Sequence, residues 1–143
     1  MRKLKIISGG QTGVDRAASD AAINLKLDHG GWCPKGRRAE LNQIIPKKYH
    51  LQETESAEFS TRTKLNVKDS DGSWIIAPSV HLTGGTLLTK REAQSQKKPY
   101  LIICVNKPVN LDKMINWIKQ NNIHILNIAG PRESPHPAFT KKV

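Results

Sequence analysis

Ser8-Gly9-Gly10-Gln11-Thr12-Gly13-Val14-Asp15-Arg16 is a glycine-rich turn lying between two regular patterns. Upstream, Lys3-Leu4-Lys5-Ile6-Ile7 is a short β-rich run. Downstream, Val14, Ala17, Ala18, Ala21, Ala22 and Leu25 recur at helical spacing. The order is therefore strand, glycine loop, helix. Glycines let such a turn tighten and let a ligand approach the main chain. The N–H groups at a helix start, with the positive end of its dipole, favour an anion. Gly9, Gly10, Gln11, Thr12 and Gly13 are thus candidate anion-binding residues, with Thr12 offering a hydroxyl and Arg16 a cation. Asp15 is placed to cap or favourably charge the first turn. Strand–glycine–helix turns also serve simply to pack a helix on a strand, so this loop alone leaves both readings open. No Gly-Lys-Ser/Thr follows and the spacing is not GxGxxG, which disfavours an ordinary NTPase or dinucleotide dehydrogenase.

A second signal of the same kind is Thr83-Gly84-Gly85-Thr86-Leu87-Leu88-Thr89, which follows the apolar run Ser73-Trp74-Ile75-Ile76-Ala77 and opens a helix running to Gln96. The two loops hold corresponding places in two β-loop-α units. In a doubly wound sheet such loops emerge at the carboxyl ends of strands and converge on one crevice. Thr83, Gly84, Gly85, Thr86 and Thr89 join the candidate ligand-binding residues on that ground.

Between the loops, Asp28 to Glu40 reads mainly as loop with a short strand at His29–Trp32. Lys35, Arg37 and Arg38 flank Gly36 and suit either an anionic ligand or a solvated basic turn. Those cations can lower the pKa of Cys33, or Cys33 can be an inert, partly buried thiol. Tyr49–Thr54 is a candidate strand and Glu58–Val67 a helix with Phe59, Thr63 and Leu65 inward. Arg62 and Asn66 lie four apart and share a helical face, pointing into a site or out to solvent. Asp69-Ser70-Asp71-Gly72 reads as a turn; the EF-hand pattern fails, and no protein-ligated metal is predicted.

Pro99–Val105 is an apolar strand of the kind buried on both faces, with Cys104 as a small core residue. Asn110 caps an amphipathic helix carrying Leu111, Met114, Ile115 and Ile118. Ile123–Ala129 is the last strand, and Gly130-Pro131-Arg132-Glu133-Ser134 places Arg132 and Ser134 just past its carboxyl end. Repeated strand–helix–strand order predicts a parallel sheet with helices on both faces.

At 143 residues the chain is expected to be one domain, residues 1–143. Its 23 Lys+Arg against 12 Asp+Glu, a formal charge of +11, attract polyanions and anionic small molecules alike. Sparse aromatic residues, 5%, argue against a stacking platform for single-stranded nucleic acid, so nucleic acid is a disfavoured partner. Cys33 and Cys104 have no CxxC spacing. With no run of membrane-spanning length and no signal-peptide pattern, a soluble cytoplasmic protein is expected.

With these motifs in view, the chain resembles the bacterial molybdenum-cofactor carrier family, a circularly permuted YpsA-like branch of the Rossmann-like SLOG superfamily. That superfamily includes the Smf proteins and the LOG-type nucleoside-monophosphate phosphoribohydrolases. The match runs through Gly9–Ala17, Gly31–Glu40, Thr61-Arg62-Thr63 with Asn66-Val67, Asp69–Gly72, Thr83–Thr86 with Thr89, and Gly130–Ser134, nearly the whole chain. It implies an α/β, Rossmann-like three-layer fold with a mostly parallel sheet and helices on both faces. It also implies homo-oligomers, dimer or tetramer, and a phosphate-friendly crevice for a nucleotide-like ligand or the pterin phosphate of molybdenum cofactor (molybdopterin). Molybdenum in that cofactor is held by the pterin dithiolene, so the cargo needs no protein metal ligand.

The LOG-type motif PGGxGTxxE carries a glutamate that supports N-glycosidic cleavage. Here Thr83 replaces the proline, the third glycine is missing, and Glu92 lies one residue further along, about 100° of helical rotation. The leading expectation is a carrier or phosphate-ligand binding protein. The alternative is a nucleotide N-glycosidic hydrolase drawing acid–base chemistry from Glu92, Asp15 or Asp71, and a basic nucleic-acid binder comes third.

Overall fold

A computed structural model describes residues 4–132; Lys3 of the expected first strand, and Ser134, lie outside them. The chain runs β1 (Lys5–Ile7), α1 (Val14–Asn24), β2 (Asp28–Gly30), β3 (Trp32–Cys33), β4 (Gln52–Glu53), α2 (Phe59–Asp69), β5 (Gly72–Ala77), α3 (Gly84–Ser95), β6 (Tyr100–Cys104), α4 (Leu111–Gln120) and β7 (Ile125–Ala129). Five strands form one sheet in the order β2-β1-β7-β5-β6, every neighbouring pair parallel. β3 and β4 make a separate parallel pair.

Alternation along the strands decides which helix covers which face. Ile6, Leu126 and Ile128 pack with Val14, Ala18 and Ala22 of α1, and Trp74, Ile76, Trp117 and Ile118 close the same cluster, so α1 and α4 share one face. The other face, carrying Ser73, Ile75, Ala77 and Asn127, lies under α2 and α3, which pack together. Burying a side chain such as Leu126 contributes roughly 1.5–3 kcal/mol, and the small alanines of α1 let that helix lie close to the strands. The expected three-layer α/β fold is present.

Several boundaries differ from the pattern reading. The strand expected at His29–Trp32 is split between two sheets because Gly31, with φ of +124°, turns the chain sharply there. Only Gln52–Glu53 of the Tyr49–Thr54 run pairs. The Pro99–Val105 strand is not buried on both faces: β6 is an edge strand, and Cys104 is half-buried rather than core. An apolar run signals a strand but not its place in the sheet.

α4 begins where expected, with Asn110 Oδ1 accepting from Lys113 N at 3.0 Å. Its apolar stripe is only partly covered, Leu111 being 66% and Ile115 49% exposed. Asn110→Ala should therefore destabilise the protein by about 1 kcal/mol. Urea unfolding checks this, and an unchanged midpoint at unchanged m would contradict it.

Candidate functional site

β1, β7 and β5 are adjacent, so the segments leaving their carboxyl ends meet at one rim, where the strand order leaves room for a crevice. A cavity of ≈ 490 Å³ opens there. Its wall takes Gln11 and Asp15 from the first glycine loop, Phe59 and Arg62 from α2, Pro78 to Thr89 in part from the β5–α3 connection, and Ala129 to Arg132 after β7.

The two glycine loops, alike in sequence, differ in what occupies them. In the first, Gly9, Gly10, Thr12 and Gly13 are buried and do not line the cavity. Asp15, 3% exposed, turns its carboxylate back into the loop and accepts from Gln11 N at 3.2 Å. The Gly9 amide also favours its charged form. Arg62 Nη1 lies 3.4 Å from the same Oδ2. A Cβ on Gly9 would fall 1.9 Å from Arg62 Nη1 and 2.9 Å from Asp15 Oδ2, so glycine there makes room for this ion pair. Burial nevertheless raises the Asp15 carboxyl above the usual carboxylate range, outweighing Arg62, the two amides and Arg16.

Other polar groups of the first loop are also engaged. Gln11 grips the facing segment at both ends of its amide, donating to Arg38 O and accepting from Glu40 N, each at 3.0 Å. The Thr12 hydroxyl donates to Glu40. Val14 N donates to Pro131 O at 3.3 Å, and Arg16 Nε to Gly10 O at 3.1 Å. Of the Gly9–Gly13 amides expected to face a ligand, those of Gly9 and Gln11 face this chain's own Asp15 carboxylate.

The second loop is open. α3 starts without a side-chain cap from Thr83, and the first N–H groups of a helix have no acceptor within it. A Cβ at Gly84 or Gly85 would meet nothing within 4 Å. Gly84 has φ of +55°, but Gly85 does not have positive φ, so neither packing nor conformation demands glycine at 85. Thr86 and Thr89 are buried beside them, Thr89 Oγ1 donating to Gly85 O at 3.0 Å. Thr83, Gly84, Gly85, Thr86 and Thr89 all line the cavity.

Of the cations named from sequence, Arg62 and Arg132 reach the cavity. Arg62 Nε is buried and has no acceptor among the described residues. Arg132 Nε lies 3.6 Å from Glu40 Oε2. Arg37 points elsewhere: it donates to the carbonyls of Ile45, Leu51, Pro46 and Tyr49 at 2.7–3.4 Å and ties the 34–51 loop together. Arg38 lies over the Phe59 ring, 4.8 Å from its centroid, and Lys35 is exposed. Arg16 is absent from the lining. Asn66 is buried and clasps Trp32, accepting from its N at 2.7 Å and donating to its O at 3.1 Å. Arg62 and Asn66 thus share a helix but serve different neighbours.

Two of the three candidate carboxylates fall away from the cavity. Asp71 stands at the amino end of β5, where its Oδ2 accepts from His124 N and Ile125 N at 2.9 and 2.8 Å and fixes the start of β7. Glu92 accepts from Gln96 Nε2 at 3.2 Å on α3. Asp15 alone of the three lines the cavity. For Cys33, burial pushes the thiol up despite Arg37, which fits the inert reading. Among the described residues no group of three or more His, Cys, Asp or Glu is arranged to hold a metal ion, and no helix is long and apolar enough to cross a membrane.

Sequence reasoning passed over Phe59, His81 and Leu82 as site residues. The last two sit on the β5–α3 connection, so the strand-end rule that selected Thr83 also reaches them. Phe59 gave no such signal, since an aromatic at a helix start reads equally as core.

The model of the circularly permutated YpsA SLOG family matches residues 6–143. In structure, the chain is similar to the crystal structure of the "Putative molybdenum carrier protein" from Syntrophus aciditrophicus SB, with TM-score 0.92 and 44% identity over 98% of this chain and 89% of that one. No curated protein matches.

Proposed function

Because this chain belongs to the circularly permuted YpsA SLOG family, we propose that it binds and carries a phosphate-bearing small molecule in the crevice at the start of α3. The observation that carries this reading is Gly85, a glycine required by neither packing nor conformation at an uncapped helix start facing the cavity. Such a position suits close approach of an anion to main-chain amides. Gly84, Gly85 and Thr86 would supply N–H donors, Thr86 a hydroxyl, and Arg62 and Arg132 positive charge. The apolar part of the wall, Phe59, Pro78 and Leu82, suits a flat heterocycle.

The structural neighbour's name is that of a molybdenum carrier; the resemblance adds that such cargo would be molybdenum cofactor, bound through its pterin phosphate. A nucleotide shares the same chemistry of ring and phosphate. The hydrolase alternative now rests on Asp15, whose carboxylate is already held by Gln11 N and Arg62. Release of free base from a nucleotide, lost in Asp15→Asn, would favour it over the carrier reading.

A thermal-shift panel at fixed protein, pH and salt tests the proposal, using molybdenum cofactor or its pterin precursor, adenine and guanine nucleotides, molybdate and phosphate. A ligand at about 100 times its Kd adds roughly 2.7 kcal/mol. Gly85→Asp should abolish that gain while leaving the unliganded protein as stable, since its side chain enters open space and a carboxylate near a helix start stabilises by about 0.3–1 kcal/mol. A panel without any stabilising ligand, or full binding by Gly85→Asp, would overturn it.

A further inference from the structure

Two glycine loops, leaving the ends of β1 and β5 on either side of β7, are offered by the sequence as a phosphate cradle. The structure fills one of them from within. Asp15 Oδ2 takes Gln11 N at 3.2 Å and Arg62 Nη1 at 3.4 Å, and Gly9 is the residue that lets this pair settle against the main chain. Asp15 also lines the same cavity as Gly84, Gly85 and Thr86. A ligand phosphate seated at α3 would therefore meet an amide cradle, whereas a second phosphate directed toward the first loop meets the Asp15 carboxylate, already set on the Gln11 amide and Arg62.

We infer that Asp15 is a specificity-determining residue, an internal anion that limits the crevice to ligands presenting one phosphate group and rejects pyrophosphate-linked ones. This rests on the phosphate-binding reading above and adds the ligand class to it. Asp15 acts here by occupying amides and one arm of Arg62, and by its charge. It takes part in no bond making.

The test compares Kd values by titration calorimetry at one pH and ionic strength for three pairs: phosphate with pyrophosphate, AMP with ADP, and GMP with GDP. In the wild-type protein each diphosphate should bind no tighter than its monophosphate. In Asp15→Ala the order should reverse, with the diphosphates gaining roughly ten-fold or more from amides and guanidinium set free to bind a charged group. A wild-type diphosphate that binds tighter than its monophosphate overturns this inference and leaves the binding reading standing. So does a folded Asp15→Ala protein whose order is unchanged. Failure of all these anions to bind the wild-type protein overturns the phosphate-binding reading and this inference together. The wild-type pairs decide the matter even where Asp15→Ala does not fold.

Discussion

Gly31→Ala should destabilise the protein by about 3 kcal/mol or more, by adding backbone strain to a steric clash. Gly31 has φ of +124°, and a Cβ there would lie 2.2 Å from Ser8 O and 2.9 Å from Ser8 N. Both obstacles are main chain at the start of the first glycine loop, so no rotamer change relieves them. Ser8 is itself fixed: its N donates to Gly30 O at 3.1 Å and its Oγ to Asp15 O at 3.1 Å. Urea or thermal unfolding measures the loss, and a change below about 1 kcal/mol would show that the turn can relax. The same substitution at Gly36 meets nothing within 4 Å, so it separates clash from conformation, φ there being +80°.

Arg62→Ala should cost about 3–5 kcal/mol at neutral pH, because it strands Asp15 in the interior. Asp15 is 3% exposed and the Arg62 side chain 13%, so solvent screens the pair little. The pH dependence has a definite sign. The Asp15 carboxyl is raised above its unfolded value by burial. Its contribution to stability is therefore fully present below the unfolded pKa and is lost as pH rises through the folded one. Removing Arg62, which lowers that pKa, moves the folded value further up. The deficit of Arg62→Ala against wild type should accordingly shrink as pH falls toward the ordinary carboxylate range near about 4. Urea titrations at several pH values check this, and a deficit that stays constant or grows on acidification would contradict it.

Periodicity and strand-end position made much of the fold legible. Val14, Ala18 and Ala22 mark the buried side of α1 directly, and Asn110 announces α4. The strand-loop-helix units mark both glycine loops as leaving the carboxyl ends of strands. What they hold was not legible, because Gly-Gly spells both loops alike. The difference lies in Asp15 and in Arg62, a partner 47 residues away that only the tertiary fold brings to it. Arg37 and Asn66 were likewise ambiguous: a cation or amide in a loop or helix looks the same whether it meets a ligand or, as here, carbonyls and a main-chain clasp. The strand order that puts β6 at the edge is also a long-range fact, to which its apolar composition is indifferent.

The most direct measurement is ¹H–¹⁵N NMR of the labelled protein titrated with the ligand that stabilises it most in the thermal panel, or with inorganic phosphate. The amides of Gly84, Gly85 and Thr86 should shift most, moving together with a single Kd, while Gly9 and Gln11 should move little because Asp15 already holds them. Largest shifts at Gly9–Gly13, with the start of α3 silent, would contradict it.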